Sequence, residues 1–158
     1  MYKALLVLFI TSFCFSQDYI VDDYYFKWKV FQYADIEFSV VKDEDKSYIS
    51  FKDESMFSSL SLTAKEAIEI GKELSKTNTI YKKFKNNELA NIDEKVSLSS
   101  HTITYRKSEK LGFYISIGSE ALFGSSMNLD RKEALAFIPY LMDSENLINY
   151  IKNEIDLE

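Results

Sequence analysis

An internal repeat constrains this sequence more than any other feature. Residues 48–68 recur as residues 114–135, at an offset of 66 to 67, with 10 identities in 21 aligned positions. Each copy begins with Tyr-Ile-Ser and ends near Lys-Glu-Ala. A copy of this length buries little apolar surface by itself. We therefore expect the two copies to share one core.

Alternation of apolar and polar residues predicts antiparallel strands in both copies. Charged residues at 42–46 and 107–110 predict hairpin turns between them. Residues 24–31, 79–87 and 94–99 are predicted as further strands. The inward positions of the repeated strands are Ile36, Phe38, Val40, Ile49 and Phe51 in the first copy, and Ile103, Tyr105, Phe113, Ile115 and Ile117 in the second.

Each copy continues into a helix that begins with a predicted capping box. Thr63 and Asp130 supply the cap acceptors, and Glu66 and Glu133 follow three residues later. Apolar spacing then gives each helix one buried face. The predicted buried residues are Ala67, Ile70, Gly71 and Leu74 in the first helix, and Ala134, Leu135, Ile138 and Leu141 in the second.

Two residues within these helices are unusual. Gly71 is interpreted as a close-packing position against a larger neighbour, and Pro139 is expected to kink or end the second helix. Ser144 begins a final helix over residues 144–156, with Leu147, Ile148, Ile151 and Ile155 on its buried face.

These elements predict an α+β fold. It is an antiparallel sheet with helices on one face, built from a duplicated β-β-β-α unit with pseudo-twofold symmetry. One domain spans residues 17–158. The first copy covers about 19–77, the second about 79–143, and the C-terminal helix 144–156.

The first sixteen residues have the composition of an export signal. Lys3 precedes an apolar run over residues 4–15, which is too short for a membrane-spanning helix. Small residues at Cys14 and Ser16 predict cleavage between Ser16 and Gln17. Two alternatives are a lipid anchor on Cys14, which Phe13 disfavours, and a first buried strand. The mature chain is expected to be periplasmic or secreted, without a transmembrane anchor.

Charge and cysteine content exclude several function classes. Without residues 1–16 the net charge is 18 − 25 = −7, which disfavours nonspecific binding to nucleic acid. Cleavage removes Cys14, the single cysteine, so disulfides and thiol chemistry are not expected. Seventeen lysines against two arginines, without an N-glycosylation sequon, favour a bacterial origin.

Catalytic and cofactor motifs are sparse. His101 is the single histidine, and it follows Ser99 and Ser100, so a small hydrolase using His101 is an alternative function. Asp43-Glu44-Asp45 lacks the pattern of a calcium-binding loop and is interpreted as a hairpin tip. Phosphate-binding glycine motifs are absent from the sequence. No cofactor and no metal are expected.

The outward face of the sheet is the predicted binding surface. It would be rich in Tyr, Ser, Thr and Lys, and tyrosine provides rigid contact area. The candidate ligand-binding residues are Tyr25, Lys27, Lys29, Tyr48, Ser50, Arg106, Tyr114 and Ser116, with Phe31, Lys52, Thr102 and Thr104 on the same face. An exported, non-catalytic module that binds a protein or small ligand is therefore expected. The alternative is an ordinary solvated face, and edge strands could also pair into a homodimer.

The strand series followed by Leu-Ser-Leu-Thr-x-x-Glu-Ala, with its duplication, resembles the ββββα units of Whirly-type and transcriptional-coactivator-type single-strand DNA-binding folds. The resemblance covers about 25 residues per copy. It implies that bases would stack on the open sheet, with contacts from Tyr25, Lys27, Lys29, Tyr48 and Tyr114. Export and the acidic charge oppose that function, and nucleic-acid binding remains the alternative.

Overall fold

A computed structural model describes residues 25–87, 89, 91–119 and 125–155. The first unit contains β1 (Tyr25–Tyr33), β2 (Ile36–Asp43), β3 (Lys46–Asp53), β4 (Ser58–Leu62), α1 (Ala64–Leu74) and α2 (Thr77–Lys85). The second contains β5 (Ile92–Ser97), β6 (His101–Ser108), β7 (Gly112–Ser119), β8 (Ser126–Leu129), α3 (Arg131–Met142) and α4 (Ser144–Ile155). The predicted signal segment 1–16, with its cleavage site at Ser16 and Gln17, lies outside the described residues.

The strands form two antiparallel sheets of four strands each. The first sheet has the order β1-β2-β3-β4 and the second the order β5-β6-β7-β8. Strands β4 and β8 approach each other, so the sheets are adjacent at these edges. The α+β class and its duplicated organisation are confirmed. The structure adds a fourth strand to each predicted β-β-β-α unit and confirms the predicted final helix as α4. Helix α2 and the division of the strands into two sheets were not predicted. The pseudo-twofold relation stays a prediction.

Inward residues of both sheets and one face of each helix make a single core. The predicted inward positions of β2, β3, β6 and β7 are buried, except Phe113, which is half-buried and packed against the core. Phe137 of α3 is also buried, and its ring contacts Phe31 and Phe51 at 5.3 and 4.9 Å. The helix pattern named Leu135 on this face instead, although Leu135 is only half-buried.

Both predicted capping boxes are confirmed. The Thr63 side chain accepts from the Glu66 amide, and the Asp130 side chain accepts from the Glu133 amide. Each glutamate carboxylate in turn accepts from the amide of its cap residue. Gly71 is a close-packing position as predicted, because an added Cβ would lie 3.0 Å from Leu141 Cβ.

Residues 79–87 were predicted as a strand, and that prediction is wrong. They belong largely to helix α2, whose buried residues Thr77, Ile80 and Phe84 have helical spacing. The helix has no side-chain cap at Lys76, so the sequence carries no start signal. Helix α3 also continues past Pro139 to Met142 instead of ending there.

Each unit covers the sheet of the other with its second helix. Helix α2 of the first unit reaches the second sheet, where Tyr81 and Phe84 contact Phe113 with ring centroids 5.3 and 5.9 Å apart. Helix α4 of the second unit packs on β2 and β3 of the first sheet. Its Tyr150 ring lies 5.5 Å from that of Trp28. The two units are therefore interlocked through their helices.

Among the helices of the described ranges, none has both the length and the apolar character that crossing a bilayer requires.

Candidate functional site

The outer face of each sheet is the face opposite its buried side chains. Strand register assigns every predicted ligand-binding residue to one of these two faces. The outer face of the first sheet carries Tyr25, Lys27, Lys29, Tyr48 and Ser50, and that of the second carries Arg106, Tyr114 and Ser116. The predicted set is therefore divided between two sheets.

Lys27 and Lys29 share one carboxylate on the first outer face. The Glu37 side chain is only 5 % exposed, and it pairs with both lysines. Lys29 Nζ lies 2.8 Å from Glu37 Oε2, and Ser39 Oγ donates to Glu37 Oε1 at 2.7 Å. Glu37 thus holds both cations within the sheet, and its single negative charge offsets one of their two positive charges.

The protonation of Glu37 reflects these contacts. Burial alone would raise the pKa of Glu37. Hydrogen bonds from Lys27, Lys29 and Ser39 outweigh burial and lower the pKa of Glu37 to about 2. The same pairing raises the pKa of Lys29. Glu37 is consequently ionised at any physiological pH.

In sequence, Glu37 and Ser39 alternate with the inward residues of β2, a pattern that predicts a half-buried strand with both polar residues exposed. That prediction is wrong. Glu37, Ser39 and Val41 are all buried on the outer side of β2. β2 is an inner strand of the sheet, and long side chains on both of its neighbours flank it. Side chains of neighbouring strands that bury β2 do not change the alternation of apolar and polar residues within β2 itself.

Phe31 was expected to join the outer face, and it does not. The register of β1 against β2 shifts between Lys29 and Phe31, which marks a bulge. The extra residue turns Phe31 toward the core. There its ring stacks on Tyr140 at 4.2 Å.

Four side chains form a cluster at the end of the first outer face that is remote from the β1 bulge. They are Tyr25, Lys27, Asp43 and Tyr48. Tyr48 is half-buried, and burial, followed by nearby Tyr25 and Asp43, raises its pKa, while Lys27 lowers it. Tyr25 is 63 % exposed. The structure therefore brings the predicted residues Tyr25, Lys27 and Tyr48 together.

The second outer face has a comparable arrangement around Tyr114. The Arg106 guanidinium hydrogen bonds to Tyr114, and this contact is the main cause of the raised pKa of Arg106. Burial lowers that pKa, and the charge of Asp93 raises it. Arg106 Nε lies 3.7 Å from Asp93 Oδ2. Arg106 and Asp93 are 43 and 63 % exposed, and Arg106 Nε forms no hydrogen bond, so this ion pair is looser than the pairs with Glu37 on the first face. Asp93 and Glu37 were not among the predicted site residues.

The next row of each outer face has three small polar side chains and a lysine on the edge strand. The rows are Lys29, Ser39, Ser50 and Ser61 in the first sheet, and Lys95, Thr104, Ser116 and Asn128 in the second. In the second sheet the following row contains Gly118, and the space where its side chain would lie is open. A surface cavity of about 470 Å³ lies beside Tyr114, and its lining also includes Asn91, Ser108, Glu109, Lys110 and Leu111. The second outer face is consequently polar, with one tyrosine at the margin of a cavity.

His101 and the two serines that precede it lie against helix α1. His101 is 5 % exposed at the start of β6. Ser99 Oγ donates to Glu69 Oε2 at 2.7 Å, and Ser100 hydrogen bonds to Glu66. Both serines therefore attach the β5–β6 turn to α1. Neither hydroxyl is directed to His101 as the nucleophile of a triad would be.

Within the described ranges, no group of three or more His, Cys, Asp or Glu side chains is placed to hold a metal ion. No protein-family model matches this chain, and no curated protein matches it.

Proposed function

We propose that the chain is an exported, non-catalytic binding module that uses the outer face of its second sheet, with Tyr114 as the central contact. The observation that carries this proposal is the combination of Tyr114, the hydroxyl-rich row beside it and the adjoining cavity. Tyrosine supplies rigid amphipathic area, and Ser, Thr and Asn supply adaptable hydrogen bonds.

The pairing of cations with carboxylates favours a ligand with uncharged polar groups, such as a polar patch on a protein, over a polyanion. Lys27 and Lys29 are paired with Glu37, and Arg106 is paired with Asp93. A phosphate ligand would have to compete with Glu37 for Lys27 and Lys29. Binding through tyrosine and hydroxyl groups needs no such exchange.

The test compares three tagged forms of the chain in pull-downs from a bacterial envelope extract, with and without nuclease. The forms are the wild type, Tyr114→Ser, and the matched control Tyr33→Ser, which alters an exposed tyrosine at the far end of β1. We expect a nuclease-resistant ligand that Tyr114→Ser loses and Tyr33→Ser retains. Equal recovery with Tyr114→Ser would refute the assignment of this face.

Nucleic-acid binding through the first outer face is the second candidate. Tyr25, Tyr48 and Lys27 lie together there, as stacking on an open sheet requires. This candidate predicts that nuclease treatment abolishes recovery of the bound ligand and that the affinity falls steeply as the salt concentration rises. A ligand that is resistant to nuclease and insensitive to salt would exclude it.

Export belongs to the same proposal and rests on residues 1–16. N-terminal sequencing of the chain recovered from the envelope or the medium should start at Gln17. A chain that is recovered in the cytoplasm with Met1 or Tyr2 at its start would contradict export.

A further inference from the structure

The turn between β3 and β4 presents two apolar side chains to solvent. Phe57 is 93 % exposed and Met56 is 60 % exposed. We call this pair the Met56–Phe57 tip. It lies at an end of the first sheet and is separate from the outer face of the second sheet, so a role for the tip does not depend on the function proposed for that face.

The backbone of the tip is costly for a phenylalanine. Phe57 has a φ of 51°, in the left-handed region that glycine or asparagine occupies most easily. Its exposed ring gains no burial that would offset this cost. Neither folding stability nor solubility explains a phenylalanine at this position. Ala34 and Glu44 have the same φ in the other two turns of the first sheet, so the exposed aromatic ring, and not the backbone, distinguishes Phe57 from them.

The turn is nevertheless firmly built. Asp53 is 3 % exposed, and its Oδ1 accepts from Ser55 N at 2.9 Å, Ser55 Oγ at 2.7 Å and Met56 N at 3.2 Å. Glu54 N donates to Asp35 O at 2.9 Å, which joins the turn to the β1–β2 turn. The tip is thus held in place before any partner arrives, and such preorganisation lowers the entropy cost of binding.

Carboxylates are concentrated around this end of the first sheet. Asp35 adjoins the turn, since Asp35 O accepts from Glu54 N, and Asp130 and Glu133 share the capping box of α3. Burial raises the pKa of Glu133, the Asp130 backbone hydrogen bond lowers it, and the charges of Asp130, Asp53 and Asp35 raise it. Glu54 belongs to the turn itself. The cations of this region are Lys29, which is paired with Glu37, Lys52 on β3, and Arg131 and Lys132, which follow Asp130 at the start of α3. The apolar tip is therefore surrounded mainly by negative charge.

We propose that the Met56–Phe57 tip inserts into an apolar pocket rimmed by lysine or arginine on a partner protein. Phe57 is the apolar anchor, and Glu54 and Asp35 complement the basic rim. The carboxylates oppose insertion into an anionic lipid surface. The second unit repeats the pair in its sequence as Leu122-Phe123, which lies outside the described residues.

The test uses defined probes with the full chain. Two amphipathic peptides of equal length, one of leucine and lysine and one of leucine and glutamate, are titrated by fluorescence anisotropy. Vesicles of phosphatidylcholine, with and without phosphatidylglycerol, are tested by flotation. We expect binding of the leucine–lysine peptide alone.

Phe57→Gly is the decisive variant, because glycine relieves the left-handed backbone while it removes the ring. Its Tm should equal or exceed that of the wild type, and its affinity for the leucine–lysine peptide should fall at least about tenfold. Ala34→Gly is the matched control, since exposed Ala34 also has a φ of 51° and should keep full affinity. Glu54→Lys should weaken binding by removing part of the acidic surround.

Three results would overturn the proposal. The first is equal affinity of wild type and Phe57→Gly for the leucine–lysine peptide, which would mean that charge alone binds it. The second is no binding of that peptide by the wild type. The third is vesicle binding that depends on Phe57, which would assign the tip to a lipid surface instead.

Discussion

Replacing Glu37 by glutamine should destabilise the fold by an amount that depends on pH. The substitution keeps the shape of the side chain and removes the charge that Lys27 and Lys29 share. The two lysines are 32 and 52 % exposed, so water can partly compensate for the lost partner. The effect should therefore be substantial but smaller than that of a fully buried pair.

Its magnitude can be worked from the pKa of Glu37. A fall from 4.5 to about 2 corresponds to about 3 kcal/mol of native-state stabilisation at about 1.4 kcal/mol per pKa unit. Screening around the part-exposed lysines reduces the expected loss in Glu37→Gln to about 2 kcal/mol at pH 7. Removal of a charge from a paired, desolvated site costs more than removal from the surface.

The sign with pH is fixed by linkage. Because the pKa of Glu37 is lowered on folding, the stabilisation is complete above the unfolded value of 4.5 and is lost as the pH falls toward 2. The difference in unfolding free energy between wild type and Glu37→Gln should be constant from pH 7 to about pH 5. It should be about halved by pH 3.

Urea unfolding at pH 7, 5, 4 and 3, followed by the fluorescence of Trp28, measures this difference. Glu94→Gln is the control, because Glu94 pairs with Lys83 at 2.6 Å while the two side chains are 35 and 66 % exposed. It should cost less than about 1 kcal/mol. A difference for Glu37→Gln below about 0.5 kcal/mol at pH 7, or one that stays constant down to pH 3, would refute the reasoning.

Two further substitutions test the packing between the units. Gly71→Ala should lower the unfolding free energy by about 1 kcal/mol despite the better helix propensity of alanine, because the added Cβ would lie 3.0 Å from Leu141 Cβ; a stabilised variant in urea unfolding would contradict the close packing. Tyr105→Phe should cost about 1 kcal/mol, because the buried Tyr105 hydroxyl donates to Glu73 O at 2.9 Å; an unchanged Tm in thermal unfolding would show that this hydrogen bond contributes nothing.

Local patterns were sufficient to predict part of this fold. The capping boxes at Thr63 and Asp130 and the inward positions of the repeated strands depend on residues near one another in sequence, so the spacing reveals them. Gly71 was predicted for the same reason, since a glycine within an apolar helix face needs a close neighbour.

The features that the sequence did not reveal depend on contacts between elements. Helix α2 is short and uncapped, so nothing local separates it from a strand. The inward turn of Phe31 requires a bulge, which the composition of β1 does not announce. Glu37 is buried because side chains of neighbouring strands flank and pair with it. The sequence therefore indicated which side of each sheet carries the candidate residues, but it did not predict which carboxylates pair with their cations.

The exchange of second helices between the units has an evolutionary consequence. A single ββββαα unit would leave part of its own sheet uncovered, because α2 packs on the second sheet and α4 on the first. Two such units on separate chains would have to associate, each lending its last helix to its partner. Joining both units in one polypeptide supplies both helices within one chain and leaves each half able to diverge. The outer faces differ in this way. Glu37 pairs with Lys27 and Lys29 on the first face, and Asp93 pairs with Arg106 on the second.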